Sequence, residues 1–367
     1  MLTTPLAPYM LWAKTRAAVE IDLAGSNLLS CTLEDLPGIT DALQLTAPND
    51  NGFAPLVEAI GLHSQVASDR IVTATGCSGA NFLAMAALVG PGDEVLVEQP
   101  GYDPLVGACT LLGARVTRIP RPFALRFQLD LDAVQDAVTS ATRLIVVTSP
   151  HNPSGVCLDV DTHHALVDIA AQAGAHLLVD EVYLDAVNLV AQSTAAAEPS
   201  PSAANVEGPV IVTSSLTKSY GLSGLRCGWA IAPPAIAMRM RRVRDLVDAV
   251  GSAPSERMAA FAFSHLPSLS TRTVGLVTAN LALARHFIDA HPRLALAEAP
   301  RATVILPRLA GVADTQAFVA RLAADHGVAV APGYFFDTPE HFRISLAGQT
   351  DRLAEGLGRL THALAGL

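Results

Sequence analysis

Lys218 stands in a polar run directly after an apolar, strand-like segment, Val210 to Thr213. A lysine amine can condense with an aldehyde to form a Schiff base, which holds a carbonyl-bearing cofactor covalently. The hydroxyl of Ser215 precedes the lysine, and the guanidinium of Arg226 follows it by eight positions. Both groups can bind a phosphate dianion. The run therefore favours a phosphate-bearing aldehyde cofactor, although a single lysine in a polar turn is usually only a solvated charge.

Two other polar segments also follow apolar, strand-like runs. Asn152 lies in a Ser-Pro-His-Asn-Pro turn, and Asp180 ends the run Leu-Leu-Val-Asp. An aspartate facing a pyridine nitrogen keeps that nitrogen protonated, so the ring becomes an electron sink. The Asn152 amide can donate to a phenolate oxygen on the same ring, and Tyr183 can share that oxygen. The simpler alternatives are a proline turn for Asn152 and a helix cap for Asp180.

A fourth segment, Gly76 to Asn81, consists mostly of small residues and precedes a helical pattern. The open N–H groups at the start of a helix bind anions, and the helix dipole favours negative charge there. Ser78 and Gly79 are therefore candidates for phosphate binding. This signal is weak by itself, because many helices begin with glycine and serine.

In this order and spacing, the motifs resemble those of the class I/II aminotransferases, which are pyridoxal-phosphate (PLP) enzymes of fold type I. The resemblance runs from Gly76 to Arg226, with a further piece near Arg343. It implies that Lys218 forms the Schiff base and moves the proton. The implied cofactor-binding residues are Ser78, Gly79, Tyr102, Asn152, Asp180, Tyr183, Ser215, Lys218 and Arg226.

The resemblance also implies how the substrate binds. Arg343 matches the arginine that holds the α-carboxylate, a task that suits a planar, bidentate donor. Tyr102 matches the aromatic residue that stacks on the pyridine ring, and Gly25 and Asn152 are further candidates for contact with the substrate. The plain alternatives are a turn aromatic for Tyr102 and a solvent-facing side chain for Arg343. The other basic residues weighed for a substrate side-chain carboxylate are expected at the surface: Lys14, Arg16, Arg121 and Arg126.

One segment departs from the family pattern. The family usually has a tyrosine shortly before the glycine that matches Gly52, and that tyrosine reaches the phosphate of the neighbouring subunit. The segment that precedes Gly52 here contains no tyrosine. Asn49 or Asn51 is a possible replacement, or the contact is absent.

Strand-like and helix-like segments alternate through the middle of the chain. The strand candidates are 71–75, 94–98, 115–119, 144–148, 176–180, 210–213 and 227–232, and the helix candidates between them are 80–89, 103–112, 130–139 and 162–173. Such alternation predicts an α/β fold with a mostly parallel central sheet covered by helices. Asn152, Asp180 and Lys218 all lie at strand ends, where open α/β sheets bind ligands.

After about residue 250 the pattern changes to longer helices and short strands. We expect a PLP-binding large domain at 48–248. We expect a smaller α+β domain, built from 1–47 and 249–367, to close over the substrate. An Ala-, Ser- and Pro-rich stretch, 191–207, is expected to be a surface excursion.

Composition excludes several function classes. The formal net charge is −10, which argues against nucleic acid as a partner. No uncharged apolar run approaches the roughly 20 residues of a membrane helix. The five cysteines are scattered, as free thiols in a reducing compartment would be, and residues 1–16 lack a signal-peptide layout. We therefore expect a cytoplasmic protein. The histidines show no metal-binding spacing, so no metal site is expected.

Transamination between an α-amino acid and a 2-oxo acid is the leading prediction. The alternatives are another PLP reaction on the same scaffold (β-elimination, C–S cleavage, a cyclising synthase reaction or decarboxylation) and a non-catalytic PLP sensor. The identity of the amino acid and oxo acid is not readable from the residues. The resemblance implies a homodimer.

Overall fold

The structure is a computed structural model that describes residues 7–46, 48–194 and 198–367. Parts of three predicted segments lie outside the described residues: 1–6 of the amino-terminal segment, 47 at the predicted domain boundary, and 195–197 of the surface excursion. The helices are α1 (Pro8–Thr15), α2 (Ala54–Ser64), α3 (Gly76–Leu88), α4 (Asp103–Leu111), α5 (Leu131–Ala137), α6 (Val160–Gln172), α7 (Leu184–Thr194), α8 (Leu216–Tyr220), α9 (Pro234–Val247), α10 (Ala253–Ser264), α11 (Leu266–Asp289), α12 (Gln316–His326) and α13 (Thr350–Ala365). The strands are β1 (Ile21–Asp22), β2 (Ile71–Thr75), β3 (Glu94–Gln99), β4 (Arg115–Pro120), β5 (Thr142–Thr148), β6 (His176–Asp180), β7 (Val210–Ser215), β8 (Cys227–Ile231), β9 (Leu294–Ala295), β10 (Val304–Ile305), β11 (Arg308–Leu309), β12 (Val328–Ala329), β13 (Ala331–Pro332) and β14 (Phe342–Ser345).

A sheet in the order β2-β8-β7-β6-β5-β3-β4 forms the centre of the larger part. The pairs from β4 through β3, β5 and β6 to β7 are parallel, whereas β8 runs antiparallel to both β7 and β2. The prediction of an α/β fold with a mostly parallel sheet is confirmed.

Both faces of this sheet are buried. Ile145 and Val147 pack on one face with one apolar cluster, and Leu144 and Val146 pack on the other face with a second cluster. Side chains of a strand alternate between the faces, so an unbroken apolar run is what a doubly covered parallel strand requires. Each such side chain contributes about 1.5–3 kcal/mol on burial. These runs explain why the strand positions were readable from the sequence.

The sheet register brings the polar strand ends together. Thr148 at the end of β5 pairs with Asp180 at the end of β6, and Asp180 pairs with Thr213 on β7. Because the three strands are parallel, the segments that follow them emerge at the same edge of the sheet. Asn152 and Lys218 lie on those segments.

A separate apolar cluster forms the core of the carboxy-terminal part. It joins α11, α12 and α13 to the short strands and to residues Ile21, Leu23 and Leu28 of the amino-terminal segment. Strand β14, which carries Arg343, lies between β10 and β13. The predicted division into two domains stays a prediction; residues of α10 pack with the cluster of the large sheet.

Arg121 corrects one expectation from the sequence. Its side chain is fully buried, not at the surface, and donates at 2.7 Å to Glu98 and at 3.0 Å to the carbonyl of Thr148. A buried charge needs such a partner, because desolvating an unpaired ion costs several kcal/mol.

Among the helices of the described residues, none has the length and apolar character needed to cross a bilayer.

Candidate active site

A cavity of about 380 Å³ opens at the carboxyl ends of β5, β6 and β7. Nine of the predicted site residues line it: Gly25, Ser78, Tyr102, Asn152, Asp180, Tyr183, Ser215, Lys218 and Arg226. Arg343 is fully buried and bonds to Asn152 at the cavity wall. Gly79 is not among the lining residues; it lies in the first turn of α3. The sequence motifs thus converge on one site.

Lys218 reaches the cavity from the short helix α8, which follows β7 directly. Ser215 caps this helix by accepting a hydrogen bond from the Thr217 backbone. The Lys218 amine donates to Ser26 Oγ at 2.9 Å and to Asn27 Oδ1 at 2.6 Å. Burial, reinforced by the positive charge of Arg343, lowers the pKa of Lys218 to about 7. A large fraction of the amine is therefore neutral, and nucleophilic, near neutral pH.

Asp180 is a buried carboxylate that lines the cavity. Its oxygens accept from the Asn81 amide at 2.8 Å, from the Val182 backbone N–H at 3.1 Å and from the Cys77 thiol at 3.3 Å. Burial raises the pKa of Asp180, and these hydrogen bonds together with the positive charge of Lys218 oppose that rise. The network therefore favours the anion and counteracts the effect of burial.

Arg343 is bonded to two residues that line the cavity, Asn152 and Tyr9. Its guanidinium donates to Asn152 Oδ1 at 2.7 Å, to the Tyr9 hydroxyl at 2.5 Å and to the Ala24 carbonyl at 2.9 Å. Because the oxygen of the Asn152 amide faces Arg343, its NH₂ group is directed away from the arginine and is available to a ligand. Neutral oxygens, not a carboxylate, face this arginine in the structure, so its charge is left to attract an anion.

Tyr183 and Tyr102 both line the cavity. The Lys218 amine lies 5.7 Å from the centre of the Tyr183 ring, and burial raises the pKa of Tyr183 to about 12. Tyr102 is half-buried at the start of α4, with its hydroxyl 3.3 Å from the sulfur of Met10. Burial also raises the pKa of Tyr102. Both phenols stay protonated near neutral pH and can donate a hydrogen bond.

Arg226 and the start of α3 form a further part of the cavity lining. The Gly76 backbone N–H donates at 2.8 Å to the Arg226 carbonyl, and a Cβ on Gly76 would overlap the Arg226 guanidinium. Ser78 and Ser215 stand beside them in the lining. Within the described ranges, no carboxylate lies within ion-pair distance of Arg226. A guanidinium, two hydroxyls and a helix amino terminus are a donor set for a phosphate dianion.

These groups fit PLP. Donors for its phosphate, a carboxylate for its ring nitrogen and an amine for its aldehyde all line one cavity, and Gly76 leaves the space that Arg226 occupies.

Asn49, considered as a replacement for the missing tyrosine, is engaged within its own chain. Its amide donates at 2.6 Å to the Gly251 carbonyl, and its side chain is buried.

Several lining residues were not predicted from the sequence. Tyr9 and Met10 come from α1, and Ser26 and Asn27 come from the loop after β1. The available signal for α1 was Pro8, since proline is favoured at the first position of a helix. Nothing in the local sequence indicated that this helix packs over a cavity whose other lining residues, apart from Gly25, Ser26 and Asn27, lie more than 60 positions away.

Comparisons with known proteins agree with this geometry. The family model for aminotransferase class I and II matches residues 53–360. Capreomycidine synthase of Streptomyces vinaceus is 33% identical over 98% of this chain and 94% of its own length. Valine–pyruvate aminotransferase of Mycobacterium tuberculosis is 28% identical over 96% of this chain and 87% of its own length. A PLP-dependent aminotransferase structure from Streptococcus suis superposes with a TM-score of 0.91 at 24% identity, over 100% of this chain and 99% of that one.

Proposed function

We propose that this chain, which belongs to the class I and II aminotransferase family, moves an amino group between an α-amino acid and a 2-oxo acid. It is a PLP-dependent enzyme. The observation that carries the proposal is the Lys218 amine, which has a pKa of about 7 and is close enough to both the Asp180 carboxylate and the Arg343 guanidinium for their charges to act on it. An amine, an anion and a cation in that arrangement match the aldehyde, the ring nitrogen and the substrate carboxylate.

When bound, PLP supplies an aldehyde that condenses with amines and a ring that withdraws electrons. Lys218 holds that aldehyde at rest. Once a substrate amine has replaced it, the freed Lys218 amine would act as the general base for the α-proton and would deliver that proton to the carbon that was the PLP aldehyde. A general base works best when its pKa is close to the working pH, as the pKa of Lys218 is.

The other lining residues orient the cofactor. Asp180 would keep the ring nitrogen protonated, Asn152 and Tyr183 would donate to the ring oxygen, and Tyr102 would pack against the ring face. The free NH₂ group of Asn152, left by its bond to Arg343, supports the role of that residue. Ser78, Gly79, Ser215 and Arg226 would hold the phosphate; Gly79 would act through the first turn of α3 and not through a side chain.

Arg343 binds the substrate α-carboxylate. The carboxylate replaces neutral partners of the guanidinium, such as the Tyr9 hydroxyl and the Ala24 carbonyl, so a charged pair takes the place of weaker hydrogen bonds. Gly25 follows Ala24 in the chain and lines the cavity next to this proposed carboxylate site. A Cβ added at Gly25 would meet no atom within 4 Å. We infer that the substrates are α-amino acids and their 2-oxo acids.

A second candidate function is a different reaction of the same cofactor. The similarity to a relative named as a synthase extends over 98% of this chain. The residues that hold PLP serve elimination, decarboxylation and cyclisation equally well, because the choice depends on which bond to the α-carbon stands perpendicular to the ring. The two functions differ in their products, so they are separable by experiment.

We also propose that the working form is a homodimer. Membership in the family supports this assembly, and the opening of the cavity at the surface of one chain leaves room for a partner to complete it. The mass of one chain is 38.2 kDa, and sedimentation equilibrium should give twice that mass. A monomer at assay concentrations that retains full turnover would contradict this proposal.

The function is tested by product analysis. Purified protein with PLP is incubated with a panel of L-amino acids, each paired with a 2-oxo acid, and both products are followed by mass spectrometry. Transamination predicts a new amino acid and a new 2-oxo acid in equal amounts, with no ammonia, thiol or carbon dioxide. Accumulation of ammonia, thiol, carbon dioxide or a cyclised amino acid would contradict transamination and support the second candidate function.

A further inference from the structure

Asn81 is a buried polar residue that has no part in the roles above. It lies on α3, one turn after Cys77, and is only 4% exposed among apolar neighbours that include Ala80 and Leu83. A side-chain amide in such a place is costly unless it is hydrogen-bonded. Its amide nitrogen donates at 2.8 Å to one oxygen of Asp180, and its oxygen accepts at 2.6 Å from the Thr213 hydroxyl.

Asp180 decides which way the Asn81 amide points, and Thr213 supplies the matching donor on the other side. The sheet register places Thr213 on β7 opposite Asp180 on β6, and its side chain is fully buried. If the Asn81 amide were reversed, its oxygen would face a carboxylate oxygen and two acceptors would meet without a proton. The hydroxyl can rotate to donate, so the arrangement with NH₂ toward Asp180 satisfies all three groups.

The second oxygen of Asp180 is held separately. It accepts from the Val182 backbone N–H at 3.1 Å and from the Cys77 thiol at 3.3 Å. An ionised carboxylate accepts about four hydrogen bonds. These three contacts therefore fix the plane of the carboxylate and leave acceptor capacity for a group in the cavity.

We propose that Asn81, fixed in turn by Thr213, is a positioning residue that holds the Asp180 carboxylate in the orientation that the ring nitrogen of PLP requires. The inference rests on the role proposed above for Asp180. Asn81 does not line the cavity, so it acts through Asp180 and not by touching a ligand. Burial raises the pKa of Asp180, and the hydrogen bond from Asn81 is the largest of the contacts that oppose the rise.

Three variants test the inference: Asn81→Leu removes the donor, Thr213→Val removes the group behind it, and Thr213→Ser keeps the hydroxyl as a matched control. The readout is the visible absorption band of bound PLP as a function of pH, together with the equilibrium affinity for PLP. The other titratable groups around Asp180 are Cys77, Glu181, Tyr183 and Lys218, and all of them are retained in each variant.

Asn81→Leu should shift the pH midpoint of the absorption band and lower kcat about 10- to 100-fold, the effect of losing a hydrogen bond to a charged group. Thr213→Val removes a hydrogen bond between neutral groups, so it should shift the midpoint in the same direction and lower kcat about 2- to 10-fold. Thr213→Ser should behave like the wild type. In an Asp180→Asn background, Asn81→Leu should lower PLP affinity far less than it does in the wild type, because the partner carboxylate is gone.

An unchanged absorption midpoint in Thr213→Val, or equal losses of affinity with and without Asp180, would overturn the inference. If Asn81→Leu does not fold, the comparison of Thr213→Val with Thr213→Ser decides alone. The readouts are independent of the reaction catalysed. A wild-type protein that yields elimination products contradicts the proposed function, whereas the spectral comparison still decides the role of Asn81.

Discussion

Arg343 donates a hydrogen bond of 2.7 Å to Asn152, although 191 positions of sequence separate the two residues. Arg343 lies on β14 in the carboxy-terminal part, and Asn152 follows β5 of the large sheet. The bond sets the orientation of the Asn152 amide and holds the guanidinium close enough to Lys218 to lower the pKa of its amine. One contact thus links Arg343, the proposed substrate clamp, to a proposed cofactor ligand, Asn152, and to the proposed catalytic amine of Lys218.

Replacing Arg343 by lysine should raise KM for the amino acid about 10- to 100-fold. A lysine keeps the charge but loses the bidentate geometry, and a hydrogen bond between charged groups is worth about 1.5–3 kcal/mol. Steady-state kinetics measures the change. Arg352→Lys, a substitution on the surface of α13, is the matched control and should leave KM unchanged. An unaltered KM in Arg343→Lys would contradict the proposed role of Arg343 in binding the substrate carboxylate.

The Lys218 amine of the PLP-free protein should titrate with a pKa of about 7. Its folded-state pKa lies below the ordinary value, so the proton is lost early and reactivity toward an acylating reagent rises through pH 7. Competitive trace labelling measures that rise. The other lysine of the sequence, Lys14, is exposed and serves as an internal reference. A labelling curve for Lys218 that still climbs steeply above pH 9 would show that the amine is not desolvated.

Gly76→Ala should weaken PLP binding by tenfold or more. A Cβ there would overlap the Arg226 guanidinium and displace it from the proposed phosphate site. Gly76 also has a φ of +72°, which disfavours alanine. Gly92→Ala is the control, because Gly92 has a φ of +87° but no atom within 4 Å of a new Cβ. Equal PLP affinity of the two variants would mean that the close approach to Arg226 is unimportant.

The buried pair of Glu98 and Arg121 should matter for stability. Arg121→Ala leaves the Glu98 carboxylate buried without its partner at 2.7 Å, so the free energy of unfolding should fall by about 3–5 kcal/mol. Arg126→Ala breaks an ion pair in which the arginine is 67% exposed, and should cost about 1 kcal/mol or less. Urea denaturation of both variants measures the difference. Similar losses would mean that the buried pair is not specially important.

The sheet and much of the site were predictable, because continuous apolar runs mark doubly covered parallel strands. Their polar ends, at Asn152, Asp180 and Lys218, meet at one edge for geometric reasons. Other features depend on tertiary contacts that no local pattern encodes. Arg121 was expected at the surface, yet it pairs with a carboxylate on a neighbouring strand. Asn81 reads as one residue in a helical pattern, and only the fold shows that it meets Asp180.

In the proposed transamination, the amino group of the substrate stays on the cofactor. The most direct test mixes PLP-loaded protein with a responsive L-amino acid in the absence of any 2-oxo acid. Transamination predicts one equivalent of 2-oxo acid and one of pyridoxamine phosphate per subunit, after which the reaction stops; Lys218→Ala should form neither. Continued turnover with PLP regenerated, and with ammonia, thiol or carbon dioxide released, would contradict transamination and establish the alternative PLP reaction.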